Sequence, residues 1–115
     1  MFCVDESNTS IYYSLSNIIY EISNIISGNI TRTSHESSNA TGGLLLTHGS
    51  YIYCVTISSI KYALTTSFTW ESKSFTTGFS QQPAIGVYND GNKDYVLMFG
   101  KRLNVFDTTT QTLTE

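Results

Sequence analysis

Asp94-Tyr-Val-Leu-Met-Phe-Gly-Lys-Arg-Leu-Asn-Val-Phe-Asp-Thr-Thr-Thr-Gln-Thr-Leu-Thr-Glu115 closes the chain, and its punctuation decides the fold. Tyr95 to Phe99 and Leu103 to Phe106 are short runs of apolar and β-forming residues, split by Gly100-Lys101-Arg102. A polar stretch, Asp107 to Gln111, follows, and Thr112 to Thr114 forms one more short run. Runs of this length and composition between turn-forming residues read as strands. Just upstream, Ala84 to Tyr88 reads as a further strand. It follows Pro83, the only proline, which suits the start of a strand, where its missing N–H does no harm. Asn89-Asp90-Gly91-Asn92-Lys93 is the clearest turn in the chain. Residues 84–115 therefore read as four strands in a meander.

Slid back along the sequence, this unit matches two earlier stretches. Residues 43–72 repeat it, with Leu44-Leu45-Leu46, a tight connection at Thr47–Ser50, strands over Tyr51–Ile57 and Ile60–Leu64, and a closing run over Phe68–Ser72. Residues 2–33 repeat it again, with Phe2-Cys3-Val4, Ile11–Leu15, Ile18–Ile22 and Ile30–Thr33. Ile18, Ile60 and Leu103 head the third strand of each copy, and counting back seven gives Ile11, Tyr53 and Val96. Ile11, Leu15, Ile18, Ile22 and Ile25 also fall at helical spacing, so a helix over residues 11–26 is the competing reading. The β-branched content and the match to the later copies favour strands. A four-strand meander recurring every 40 to 50 residues is the signature of a β-propeller blade. The expected fold is all-β, with three four-stranded antiparallel meanders stacked as blades of a partial propeller in a single domain. A β-sandwich is the alternative.

Composition agrees with a strand-rich domain. Charged residues make up only 13%, about half the usual share, and their place is taken by 16 Ser and 16 Thr. Disorder would need the opposite balance, low hydrophobicity with high charge. The net charge of −3 and six scattered Lys and Arg give no basic face for nucleic acid. No apolar run approaches the length that spans a bilayer as a helix. The opening Met-Phe-Cys-Val-Asp-Glu-Ser shows neither the basic nor the apolar region of a signal peptide. The expectation is no nucleic-acid partner and no membrane.

The ending Val105-Phe106-Asp107-Thr108-Thr109-Thr110-Gln111-Thr112-Leu113 resembles a kelch repeat, whose pattern runs Tyr-Asp-Pro-x-Thr-x-x-Trp after an apolar strand. Tyr95 to Gly100 resembles the kelch strand that ends in a glycine pair, here represented by Gly100 alone. Trp70 stands where the kelch tryptophan would fall in the second copy, and Leu113 takes that place in the third. The resemblance implies propeller blades and a non-catalytic interaction module. Locally, Pro83 to Val96 also resembles an FG-GAP or VCBS repeat, another propeller module, whose acidic loops can hold calcium. Asp90, Asn92 and Asp94 alternate there as oxygen donors and are the candidate metal ligands. The plain alternative is an Asn-Asp-Gly hairpin turn.

Other chemistry is sparse. Cys3 and Cys54 read as small buried hydrophobes, with a bridge between neighbouring units as the alternative. With no Cys-x-x-Cys, and His35 and His48 apart, no zinc site is expected. His35 falls in a polar linker and His48 in a turn, and neither is set beside a recognisable nucleophile. No catalytic residue and no cofactor are expected. Asn8-Thr9-Ser10, Asn29-Ile30-Thr31 and Asn39-Ala40-Thr41 fit the glycosylation sequon, but chance matches are frequent in a chain this rich in Asn, Ser and Thr.

Three blades alone leave two apolar faces in water, fewer blades than closed propellers use. The expectation is therefore a segment of a longer propeller or a homo-oligomer whose copies complete one, unless the copies fold as the sandwich. The functional expectation is a binding module contacting a protein or glycan through loops rich in Tyr, Asn, Ser and Thr. The alternative is a structural or assembly component of a surface or particle.

Overall fold

A computed structural model describes residues 2–4, 10–15, 18–36 and 43–115, with Phe2 and Glu36 described by their backbone alone, and twelve short strands account for the regular structure of these described residues. The strands are β1 (Phe2–Val4), β2 (Ser10–Leu15), β3 (Ile18–Ser23), β4 (Thr31–Glu36), β5 (Leu44–His48), β6 (Tyr51–Val55), β7 (Ser59–Leu64), β8 (Glu71–Ser74), β9 (Ala84–Asn89), β10 (Asp94–Phe99), β11 (Leu103–Asp107) and β12 (Thr112–Thr114). They form three four-stranded antiparallel sheets in plain meander order, β1 to β4, β5 to β8 and β9 to β12. No strand crosses into another copy's sheet, and no helix occurs among the described residues. The helical spacing over residues 11–26 is overridden: β2 and β3 pair from Ser10↔Ser23 to Leu15↔Ile18. Ile and Tyr dominate both strands, and a pleated surface accommodates such side chains better than a helix does.

The middle sheet is buried on both sides, and alternation along its strands explains how. Ile52, Cys54 and Ala63 point one way and join Leu45, Tyr12 and Ile19 in a core between the first and second sheets. Tyr53, Val55, Ile60 and Tyr62 point the other way and join Val96, Met98 and Phe106 in a core between the second and third. Successive side chains on a strand alternate faces, so adjacent residues serve opposite cores. The larger core is aromatic. Phe106 lies 5.1 Å from Tyr62 and 6.0 Å from Tyr53, ring centre to ring centre. Phe75 and Phe79, from the β8–β9 linker, cap it edge to face at 5.4 Å. Between sheets, the first strands approach closely, β1 to β5 and β5 to β9. Thr47 Oγ1 ties two of them by donating to the Val4 carbonyl at 2.8 Å.

Several boundaries differ from the sequence reading, among them the end of the strand expected over Tyr51–Ile57, which stops at Val55 because Thr56 turns the chain through its hydroxyl. The second copy closes over β8, Glu71–Ser74, leaving Phe68 and Trp70 in the loop before it. Phe68 adopts a left-handed backbone (φ 51°), its N–H bonded to the Leu64 carbonyl, and its ring stacks on His35 at 3.7 Å. The first copy closes over β4, Thr31–Glu36, so His35 lies in a strand and not in a linker. The connection at His48–Tyr51 is a two-residue turn at Gly49-Ser50, because Thr47 and His48 continue β5.

The repeat register also shifts by one. Leu15 pairs with Ile18, Val55 with Ile60 and Phe99 with Leu103, so the hairpins enclose different numbers of residues. In the first sheet it is Tyr12 and Ile19 that face the next sheet, as Tyr53 and Ile60 do in the second. Ile11 and Ile18 lie on the opposite face.

Candidate interaction surface

The hairpin loops at one end of the sheets are held by polar side chains drawn from neighbouring strands. Asn89-Asp90-Gly91-Asn92-Lys93 turns β9 into β10, and Gly91 supplies its positive φ (101°), which a side chain would strain. Asp90 Oδ1 accepts the backbone N–H groups of Asn92 and Lys93, both at 2.9 Å, and Oδ2 accepts the Tyr95 hydroxyl at 3.1 Å. Asn89 Oδ1 accepts the Gly91 N–H, and its amide donates to Asp94 Oδ1 at 2.7 Å. The other Asp94 oxygen meets His48 Nε2 at 3.0 Å, which links the second sheet to the third. These donors hold the Asp90 carboxyl, through the Lys93 and Asn92 N–H groups, and the Asp94 carboxyl, through Asn89 and then His48, below the usual carboxylate range.

The structure thus places the three candidate calcium ligands in one hairpin. All four carboxylate oxygens of Asp90 and Asp94 are engaged by protein donors, and Asn92 contributes its backbone N–H to Asp90. Among the described residues no group of three or more His, Cys, Asp or Glu converges as a metal site would.

The same end is reinforced beside this hairpin. Lys93 Nζ donates to Asp107 Oδ2 at 3.2 Å. Asp107 Oδ1 accepts the N–H groups of Thr109 and Thr110, closing the β11–β12 turn. Gln111, with φ 56°, donates its amide to the Tyr51 hydroxyl at 3.1 Å, a second link between sheets. Asp107 acts here as a turn cap.

A cleft of about 600 Å³ lies between the β8–β9 linker and the β10–β11 turn. Gly78, Phe79, Ser80, Gln81, Gln82 and the Gly100-Lys101-Arg102 turn line it. Arg102 lies over the Phe79 ring at 4.9 Å and donates through Nη2 to the carbonyls of Thr77 and of Gly78, the latter at 2.7 Å. Gln82 donates to the Val55 carbonyl at 2.7 Å and so fixes the linker to the second sheet. Its volume lies within the range of small-ligand and peptide-side-chain sites. The sequence reading assigned nothing here, because the cleft exists only once the irregular linker packs against the turn.

The histidines and cysteines also find their places. His35 Nε2 meets Glu21 Oε1 at 3.1 Å, and Ser10 Oγ donates to Glu21 Oε2 at 2.9 Å. The carboxylate stands between hydroxyl and imidazole, so the imidazole is not positioned to take the serine proton, as nucleophile activation requires. Cys54 is fully buried, Cys3 is half-buried, and no disulfide joins them. Burial pushes the Cys54 thiol up to about 11.

The outer faces of the two flanking sheets are apolar. On the first sheet, Val4, Ile11 and Ile22 stand in one cross-strand row with Arg32. Tyr13 and Tyr20 stack beside them at 5.1 Å, with the Arg32 guanidinium 4.8 Å above the Tyr20 ring. On the third sheet, Tyr88, Tyr95, Leu97, Leu103 and Val105, with Asp90 at the rim, enclose a shallow depression of about 330 Å³. Compared with protein-family models, curated proteins and solved structures, the chain matches none.

Proposed function

We propose that the three sheets are blades of a β-propeller-type module, kelch-like in its last copy, and that the module is non-catalytic and binds a protein or glycan through its loops. The observation that carries this reading is the two-sided middle sheet. Its opposite faces pack on different neighbours, and the first strands of successive sheets lie together. Blades of a propeller pack face to face in this way, around an axis lined by their first strands.

The loop ends are then the surfaces such a module offers. The cleft beside Lys101 and Arg102 is the contact site we favour, because it combines depth, one exposed cation and the amides of Gln81 and Gln82. Glycan and peptide arrays probed with the whole chain test the assignment. A ligand retained by an Asn92→Ala variant and weakened at least tenfold by Gln81→Ala with Lys101→Ala supports it. Binding that neither variant alters, or no reproducible ligand on either array, refutes loop-mediated recognition.

A structural or assembly role is the second reading. The observation favouring it is the pair of apolar outer faces, where Leu15 is 62% and Leu103 is 44% exposed.

A further inference from the structure

The two outer faces are not alike, and their difference has a direction. Within the chain, each junction sets the Tyr53-type face of one sheet against the Ile52-type face of the next. The first sheet uses Tyr12 and Ile19 toward the second, and the second uses Tyr53, Val55, Ile60 and Tyr62 toward the third. The third sheet therefore leaves uncovered the face equivalent to Tyr53, carrying Leu97, Phe99, Leu103 and Val105. The first leaves uncovered the face equivalent to Ile52, carrying Ile11, Tyr13, Tyr20 and Ile22. The uncovered faces are the two halves of a junction that the chain already makes twice.

Resting on the blade reading above, we propose that a second copy of this chain covers both faces. The third sheet of each copy stacks on the first sheet of the other, and two identical junctions close a ring of six sheets. Four observations favour this occupant. The junction continues the established interface between sheets, with the same pairing of unlike faces. The charges suit it: Arg32 rims the first face, and Asp90 and Asp107, the latter shared with Lys93, rim the third. The size is adequate: four strands about 4.8 Å apart, each about five residues long at about 3.3 Å per residue, present roughly 300 Å² per face. Two junctions then bury on the order of 1,200 Å² in all, at the lower bound of a specific interface. The chain's extents, 43 × 34 × 22 Å, include the two-to-one proportion of a half-disc. Two-fold symmetry closes such a contact, since face i meets face j twice, and six blades lie within the range of closed propellers.

Light scattering coupled to size exclusion tests this on the whole chain, with circular dichroism checking that each variant folds. The wild type is expected at twice the 12.8 kDa chain mass. Leu97→Glu on the third sheet and Tyr20→Glu on the first are each expected to weaken dimerisation about a hundredfold, because each buries an unpaired carboxylate at both junctions. Leu103→Glu serves in place of Leu97→Glu if that variant does not fold. Mixing the two variants regenerates one intact junction and is expected to recover dimer that neither forms alone. A folded monomeric wild type overturns the proposal while leaving the three-blade module standing. Open polymers overturn ring closure. Dimers broken by only one of the two variants point to like-with-like stacking and also overturn it. A folded chain that retains its stability when Ile52 and Phe106, one from each internal core, are both replaced by alanine would instead refute the blade reading itself.

Discussion

Replacing Phe106 with alanine tests whether the junction between the second and third sheets carries the stability of the chain. Phe106 is fully buried on β11, and its ring meets Tyr62 at 5.1 Å and Tyr53 at 6.0 Å across the junction. Truncation removes a buried ring from a core whose backbone on both sides is fixed in four-stranded sheets, so the site cannot collapse around the void. Phe→Ala in such a setting costs about 3–5 kcal/mol, of which each lost aromatic pair accounts for about 0.5–1.5 kcal/mol. A domain of 115 residues holds roughly 6–17 kcal/mol in total, so the variant is expected to lose a large share of its stability. With a urea slope of about 1.5 kcal/mol per molar, the midpoint falls by about 2–3 M. The assay is urea unfolding followed by fluorescence at fixed protein concentration, with Lys101→Ala, exposed in the β10–β11 turn, as the control expected to stay within about 0.5 kcal/mol of wild type. A loss below about 1 kcal/mol for Phe106→Ala would mean that the sheets do not depend on one another through this core, and the stacking argument would fail with it.

Further outcomes follow from other positions. Gly43→Ala is expected to lower the melting temperature, because a Cβ there would sit 2.6 Å from the Val55 carbonyl oxygen and 2.7 Å from Cys54 Sγ, contacts relieved only by moving backbone. Asn104→Leu is expected to raise it, since the buried Asn104 amide has no hydrogen-bond partner among the described residues and leucine keeps the same branched shape without that polar cost. Thermal melts measure both, and opposite signs would refute the packing at those sites. Asp90, Asp94 and Asp107 are held below their ordinary 3.8, the last chiefly by the Thr110 N–H. Their stabilisation is therefore present above 3.8 and lost as pH falls through the lower folded values, so melting temperature is expected to drop between about pH 5 and about pH 2, less steeply in Asp94→Asn. At the alkaline end the signs reverse: burial raises Cys54 from 9.0 to about 11 and Tyr53 from 10.0 to about 12. Stability is then present below pH 9 and lost as pH rises through those values. A flat alkaline melt series would contradict that burial.

The architecture was legible because three copies had to satisfy the same physics. Leu44-Leu45-Leu46 and Phe2-Cys3-Val4 share a position as first strands, and Asn89-Asp90-Gly91 announces its own turn. The short runs between turn residues became sheets of four strands, each in chain order. Boundaries were less legible where polar residues pair in strands. Residues 31–35 of β4 and Glu71–Ser74 of β8 lie on outer strands with little burial, so no apolar alternation marks them. Phe68 and Trp70 misled in the opposite sense. They look like strand residues, yet they fold into the core between the first two sheets from a loop. The cleft at Lys101 and Arg102 carried no signal, because Arg102 is positioned by the carbonyls of Thr77 and Gly78, which any residues at those positions would supply.

The one-residue slip in register shows where counting along a repeat fails and facing succeeds. Spacings of 42 and 43 residues align Ile18, Ile60 and Leu103, and that alignment is locally sensible, since Ile18 and Leu103 do begin their strands. In an antiparallel sheet a slip of one exchanges the two faces. Ile18 then belongs to the uncovered face and Ile60 to the core, and a model built on the count would have paired the wrong surfaces. Hairpin length decides the matter: Leu15 and Ile18 pair across two residues, Val55 and Ile60 across four. The longer turn in the second copy is held by Thr56, whose hydroxyl accepts the N–H groups of Ser58 and Ser59. With faces assigned by pairing, every sheet presents the same side to its successor, and only then do the two outermost faces become complementary. The proposed association of two copies rests on that directional consistency, since a stack with mixed facing would leave two like surfaces and no reason for a ring.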